Sequence, residues 1–276
     1  MTNKMNSDPM VWNTVQEGNQ YSLAKILALW VAAAAPMGIL AFVVYPALAD
    51  FEADPIGAAF IRFGLITVGL IWQFVLSMII VYREEGDLSW ATIKRRLRLN
   101  APQDPKTGEP RRKLWLWVIA FAFLFFIIQF VIARPLDGLW VSVFPFFAIP
   151  ASANLDAVLG APELVAQLVG NWSFLGLFFV MAVFNILGEE FFFRGVLLPK
   201  MDGVFGKWDW VANGVLMGAY HWHQPWMILT GALLMSPLCF SFPARRFRST
   251  WMSIIVHSAQ YLIIIPMILA VVLGLM

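Results

Sequence analysis

The sequence predicts an all-α, polytopic helical membrane protein of about seven transmembrane helices, with a re-entrant or interfacial segment between the third and fourth. Three observations predict it. Hydrophobic residues make up 60% of the 276 positions and charged residues only 13%. The mean hydropathy of +0.73 lies far outside the range of soluble domains. Apolar runs of about 20 residues, enough to cross a hydrocarbon core of roughly 30 Å, recur along the whole chain. Residues 1–276 therefore read as a single membrane domain.

The first span is expected over residues 23–45, too long and too late for a typical cleaved signal peptide. Further spans are expected over residues 61–82, 114–133, 172–198, 210–221, 226–242 and 251–275. The linker of residues 83–113 carries nine Lys or Arg against five Asp or Glu, which makes it cytoplasmic by the positive-inside rule. That assignment puts the N-terminus inside and leaves residues 134–171 outside with a single basic residue, Arg134. Lys200, Lys207, Arg245, Arg246 and Arg248 then all fall inside, as the rule requires. Within the linker, "KRRLR" followed by "PRRK" serves first as the topology signal and could also hold the anionic head groups of membrane lipids. Residues 138–153, "GLWVSVFPFFAIPASA", are apolar but short and hold two prolines. An extra crossing there would invert the later charge pattern, so the stretch reads as re-entrant or interfacial.

Other features narrow the function. Cys239 stands alone among apolar neighbours and reads as a small apolar side chain, so redox chemistry is not indicated. A net charge of +2 needs no nucleic-acid partner. Trp115, Trp117, Trp140, Trp172, Trp208, Trp210, Trp226 and Trp251 lie near span ends, as an aromatic belt requires. No internal repeat, phosphate loop, paired-cysteine motif or serine nucleophile elbow is present.

The stretch "ILGEEFFFRGVLL", residues 186–198, places three ionisable groups inside a span. Glu190 and Arg194 stand four apart with the acid first, the favourable order for a helical ion pair. Glu189 faces another direction and needs a partner from elsewhere. Ionisable groups at such depth are functional by default, and a carboxylate in an apolar setting suits proton transfer. The chain has three histidines, His221, His223 and His257, all in or beside apolar segments. The first two are separated by about 200° on a helix, so at most one of them joins Glu189. His257 shares a helix face with Gln260 and Tyr261. One Glu, two His and polar neighbours could activate a water directly, or hold a metal ion that does so.

These residues resemble a known family. "EEFFFR" is similar to the EExxxR motif of the CAAX-protease and bacteriocin-processing (Abi) family of intramembrane proteases. "MGAYH" is similar to its FxxxH-type motif, and "RSTWMSIIVHSAQY" to its third, a histidine followed by Asn four residues on. The resemblance covers residues 172–265. It implies that Glu189 is the catalytic glutamate, that Glu190 and Arg194 are the second Glu and the Arg, and that His221 and His257 bind a metal or stabilise an oxyanion. A divalent metal such as zinc would be held by Glu189, His221 and His257. Two positions depart from the pattern: Met217 replaces Phe, and Tyr261 replaces Asn, with Gln260 beside it. Both Tyr and Gln can donate to an oxyanion.

The resemblance implies an intramembrane endopeptidase acting on a peptide or membrane-protein substrate. In eukaryotic members that substrate is a prenylated C-terminal peptide. The family and the short loops imply a bacterial plasma membrane. The competing readings are a non-catalytic scaffold for a membrane partner and, less favoured, a proton-coupled transporter. With Glu189 about 25 Å below an outer start at Trp172, the site is expected to open toward the cytoplasmic half. A full fifth span would leave His221 deeper than His257, a mismatch that a short fifth helix would remove.

Overall fold

A computed structural model describes residues 19–150, 153–154 and 160–276, and among them it is helical throughout with no strand. Six helices are long and apolar enough to cross a membrane: α1 (Leu23–Leu48), α2 (Pro55–Glu85), α4 (Arg112–Val143), α6 (Trp172–Lys200), α8 (Pro225–Arg246) and α9 (Thr250–Val272). Three shorter helices join them: α3 (Trp90–Arg96), α5 (Pro162–Leu168) and α7 (Asp209–Tyr220). The segment expected to be the fifth span is thus α7, with 12 residues. At 1.5 Å per residue it is about 18 Å long, too short to cross alone.

Local chemistry sets the helix ends. Asp54 caps α2 by accepting from Gly57 N–H at 2.8 Å, and Pro55 occupies the first turn, where its missing N–H costs nothing. Gly86 stops the same helix at φ 81°, a left-handed conformation that favours glycine. Asn171 caps α6 through Phe174 N–H at 3.1 Å. In the sequence α4 is expected to end at residue 133, yet it runs to Val143 and takes in the first part of the stretch expected to be re-entrant or interfacial. A tight turn, Pro145–Phe147, follows. Leu139, Val143 and Phe146 are exposed there, as a surface facing lipid requires. Residues 151 and 152 of that stretch lie outside the described residues, as do residues 1–18 at the N-terminus.

The second half of α6 is the centre of the molecule. Every residue from Glu189 to Pro199 is buried, packed against α2, α7 and α9 and hydrogen-bonded by Arg96 of α3 and to Ser236 of α8. Two helices approach closely through glycine: a Cβ on Gly188 would stand 2.6 Å from the Leu70 carbonyl oxygen of α2. Over Glu190–Leu197 the helix widens into π-type turns, a distortion found preferentially at functional sites. Pro199 brings no N–H to the ladder. The carbonyl of Gly195 instead accepts from Arg96 Nη1 at 3.0 Å, and that of Val196 from Arg96 Nη2 at 3.3 Å. Arg96 also pairs with Glu84 through Nη2 at 2.7 Å. One arginine of the basic linker is therefore an internal clamp rather than a topology signal.

Three indole N–H groups fasten α1. Trp30 donates to Leu216 O at 2.7 Å, Trp72 to Ala32 O at 2.8 Å and Trp222 to Ala34 O at 3.1 Å. On the other flank α7 and α8 meet backbone to backbone, where a Cβ on Gly218 would lie 2.0 Å from Ala232 Cα. Gly218→Val therefore forces the two helices apart and should cost at least the roughly 1–3 kcal/mol typical of overpacking. Gly231→Ala, where an added Cβ meets nothing within 4 Å, should leave the thermal unfolding midpoint in detergent near that of the parent.

Candidate active site

The first carboxylate, Glu189, is the last residue of the regular part of α6 and is 2% exposed. Its Oε1 accepts from Asn185 Nδ2 at 3.0 Å, one turn earlier on the same helix. Its Oε2 is buried and has no hydrogen-bond partner in the protein. Two imidazoles face this carboxylate: His221 Nε2 lies 3.7 Å from Oε1, and His257 Nε2 lies 4.0 Å from Oε2. His221 follows the C-terminus of α7 in a tight turn, and His257 lies on α9. The 12-residue α7 removes the depth mismatch that a full span would have created.

The opposite ring nitrogens fix how these histidines present themselves. His221 Nδ1 is 3.0 Å from the Met217 carbonyl oxygen, which can only accept. Nδ1 therefore carries the proton, and Nε2 turns its lone pair toward Glu189. His257 Nδ1 is 2.9 Å from Glu190 Oε1 and donates to it, again leaving Nε2 to face Glu189. A carboxylate behind an imidazole orients the ring and stabilises positive charge on it.

Glu190 thus has two partners, since Arg194 Nη1 stands 3.3 Å from the same oxygen. Both side chains of that ion pair are 0% exposed. Arg194 Nη2 also donates to Ser236 Oγ at 2.8 Å and to Ser241 Oγ at 3.3 Å, and Nη1 contacts the Met217 sulfur. Ser241 in turn donates to Asn213 Oδ1 at 2.8 Å, and Asn213 Nδ2 donates to Phe193 O at 2.8 Å. Both Nη atoms of the buried charge are met by polar groups from α6, α7 and α8, while Arg194 Nε and Glu190 Oε2 make no hydrogen bond.

Tyr261 reaches the site through Asn185: its hydroxyl donates to Asn185 Oδ1 at 2.8 Å. Asn185 is a link in a chain from Tyr261 to Glu189, and sequence reasoning missed it. The available signal was its position four residues before Glu189 in the otherwise apolar run "FFVMAVFNILG". Ser236, Ser241 and Asn213 were missed because small polar residues in apolar helices satisfy themselves locally and leave no pattern. Gln260 lines the same cavity as Tyr261. His223 also lines it, but its Nδ1 lies 3.1 Å from Tyr220 O and it makes no contact with Glu189 of the kind His221 makes.

The cavity has a volume of about 200 Å³, room for several waters at roughly 30 Å³ each. Its walls on α6 are Phe178, Met181, Asn185 and Glu189, and on α9 they are Gln260, Tyr261 and Ile264. All of these lie toward the Trp172 end of α6, away from Lys200 and the basic loops. Beyond Glu189, residues 190 to 198 are each buried, so α6 is closed on the Lys200 side of the carboxylate.

Zinc would need at least three donors gathered around one point. Among the described residues no group of three His, Cys, Asp or Glu is arranged to hold a metal ion. As placed, Glu189, His221 and His257 do not form such a group.

Residues 171–263 match the family model described as Rce1-like, type II CAAX prenyl endopeptidase, in agreement with the resemblance that the three motifs carry. The match spans Glu189, Glu190, Arg194, His221, His257, Gln260 and Tyr261. No curated protein and no solved structure matches the chain.

The site separates structural from chemical groups. Arg194→Met leaves a buried carboxylate without its cation and should cost about 3–5 kcal/mol, as breaking buried pairs does. Glu189→Gln keeps an acceptor for Asn185 and should change stability by less than about 1 kcal/mol. Denaturant unfolding of both variants in mild detergent reads the contrast.

Proposed function

We propose that this chain is an intramembrane endopeptidase of the CAAX-protease type, with Glu189 as its general base. The observation that carries the reading is the convergence of His221 and His257 on Glu189, which lines a cavity together with His221, each histidine's Nδ1 being already occupied by an acceptor. Both Nε2 atoms are thereby directed at the carboxylate whose Oε2 has no partner.

In this mechanism a water sits against Glu189 Oε2, oriented by His221. Glu189 takes one proton as the water oxygen attacks the scissile carbonyl carbon. Charge develops on the carbonyl oxygen, which accepts from His257 Nε2–H in the doubly protonated ring that the Glu190 carboxylate supports, and from the Tyr261 hydroxyl once it turns from Asn185 Oδ1. The tetrahedral intermediate collapses when the C–N bond breaks and Glu189 returns its proton to the departing amine. Asn185 is a positioning residue, holding Glu189 by one oxygen so that the other stays free. Arg194 positions Glu190, and through it His257. Tyr261 stands where the family carries Asn, with Gln260 one residue before it, and either side chain can supply the donor that Asn would have supplied.

The substrate in this reading is a peptide or the end of a membrane protein, delivered within the lipid phase, with or without a prenyl group. Phe63, Phe178, Met181 and Ile264 make the cavity wall apolar, which suits such a chain. With the N-terminus inside, as the charge distribution requires, the mouth opens on the non-cytoplasmic half.

The test is cleavage of a membrane-peptide library by purified protein in liposomes. Glu189→Gln should lower the rate by about 10²–10⁴-fold, the usual contribution of a general base, and Tyr261→Phe should lower it less. A chelator should leave the wild-type rate unchanged. Retention of activity in Glu189→Gln would sink the proposed base, and absence of cleavage by the wild type would favour the scaffold reading.

A further inference from the structure

The last third of α4 stands off from the bundle. Ala133 is the one buried residue between Ala133 and Val143, and Leu139 and Val143 are exposed. Just before this stretch, over Ile128–Ile132, the helix widens into π-type turns. Pro135 then brings no N–H to the ladder, and Gly138 has nothing within 4 Å of where a Cβ would stand. A helix interrupted in one place by π-type turns and a proline bends there more readily than elsewhere.

Beyond that point the chain is held together. Trp140 packs on Phe144 and Phe147 with ring centroids 4.5 and 5.4 Å apart. Phe147 N–H donates to Phe144 O and Ala148 N–H to Pro145 O, both at 3.0 Å. The end of α4 and the turn after it are therefore one piece. Phe146, Ala148 and Pro150 of that piece wall a cavity of about 280 Å³, whose other walls come from α1, α2 and the turn between α7 and α8. It shares Met37, Ile66, His223 and Gln224 with the cavity at Glu189, so the two adjoin.

A polar contact fastens the piece to the bundle. Thr230, buried near the start of α8, donates through Oγ1 to Asp137 Oδ1. An acid on a lipid-facing stretch is costly without such a partner. The bond thus defines a closed position, while a single bond is little to break.

We propose that residues 133–150 form a flap between the lipid and the cavity at Glu189, with the π-type turns of α4 as its hinge and the Thr230–Asp137 bond as its latch. Opening parts this end of α4 from α8 and lifts Phe146, Ala148 and Pro150 off the adjoining cavity. The motion stands without the endopeptidase reading, which supplies only the lipid-borne peptide that enters.

The first test follows the cavity wall. Leu65 lines the cavity from α2, and Leu65→Cys protein in nanodiscs is treated with a maleimide. The parent, whose Cys239 is buried, supplies the blank. Adding Thr230→Val, which keeps the shape of the side chain and removes the donor, should speed modification about tenfold, the scale of a hydrogen bond to a charged group. Asp137→Asn keeps an acceptor for the hydroxyl and should speed it less. The second test holds the flap shut. In the Asp137→Cys/Thr230→Cys double variant a short bis-methanethiosulfonate joins the two thiols. Joining them should lower cleavage of the membrane-peptide library by at least about tenfold, and a reductant should restore it. Either cysteine alone, treated alike, should lose no activity. An unchanged modification rate in Thr230→Val, or full cleavage by the joined protein, overturns the flap. Faster modification in Thr230→Val without cleavage by the wild type would keep the flap and remove the protease, whereas cleavage indifferent to the join would do the reverse.

Discussion

The Arg194 guanidinium organises the interior because a charge at 0% exposure must have its hydrogen bonds met from within the protein. Meeting them draws Glu190 from its own helix, Ser236 and Ser241 from α8, and the Met217 sulfur from α7. The position of α8 relative to α6 is thereby set by polar contacts, where lipid supplies little drive for apolar helices to choose one register over another. Glu190, fixed in turn, holds His257 by Nδ1, so α9 is positioned by the same charge. Glu189, the proposed base, sits one residue outside this arrangement. Glu189 shares its backbone with the ion pair but has its own partners, which separates the rigidity of the support from the reactivity of the carboxylate.

How much of this was legible in the sequence depended on whether a residue announces itself by cost. Glu189, Glu190, Arg194 and His257 are conspicuous because ionisable groups in apolar helices are rare, and the four-residue spacing of Glu190 and Arg194 gave their pairing directly. The bond from His257 to Glu190 joins positions on separate helices, and no periodicity encodes it. Asn185 carries no charge and was therefore passed over, although it touches both Glu189 and Tyr261.

The fold class and the long helices were readable from composition and run length alone, since both follow from bilayer thickness. Helix ends were less readable. The apolar content of residues 134–143 suited either a continued helix or a surface segment, and α4 continues through them. For α7, a stretch of suitable hydropathy proved too short to cross, and Gly214 and Gly218 pack it against Pro237 and Ala232 of α8. Close approach of this kind is a property of the pair of helices, invisible in either one.

The indole bonds of α1 restrict motion. Trp72 and Trp222 donate to Ala32 and Ala34, carbonyls two residues apart on α1, while Trp30 of α1 donates to Leu216 on α7. A slide or roll of α1 by one turn would break three hydrogen bonds at once in a medium that offers no water to replace them. The first helix is therefore locked to α2 and α7 as one stave of the wall. A lipid-borne chain passing sideways into the interior must part some other seam of the bundle.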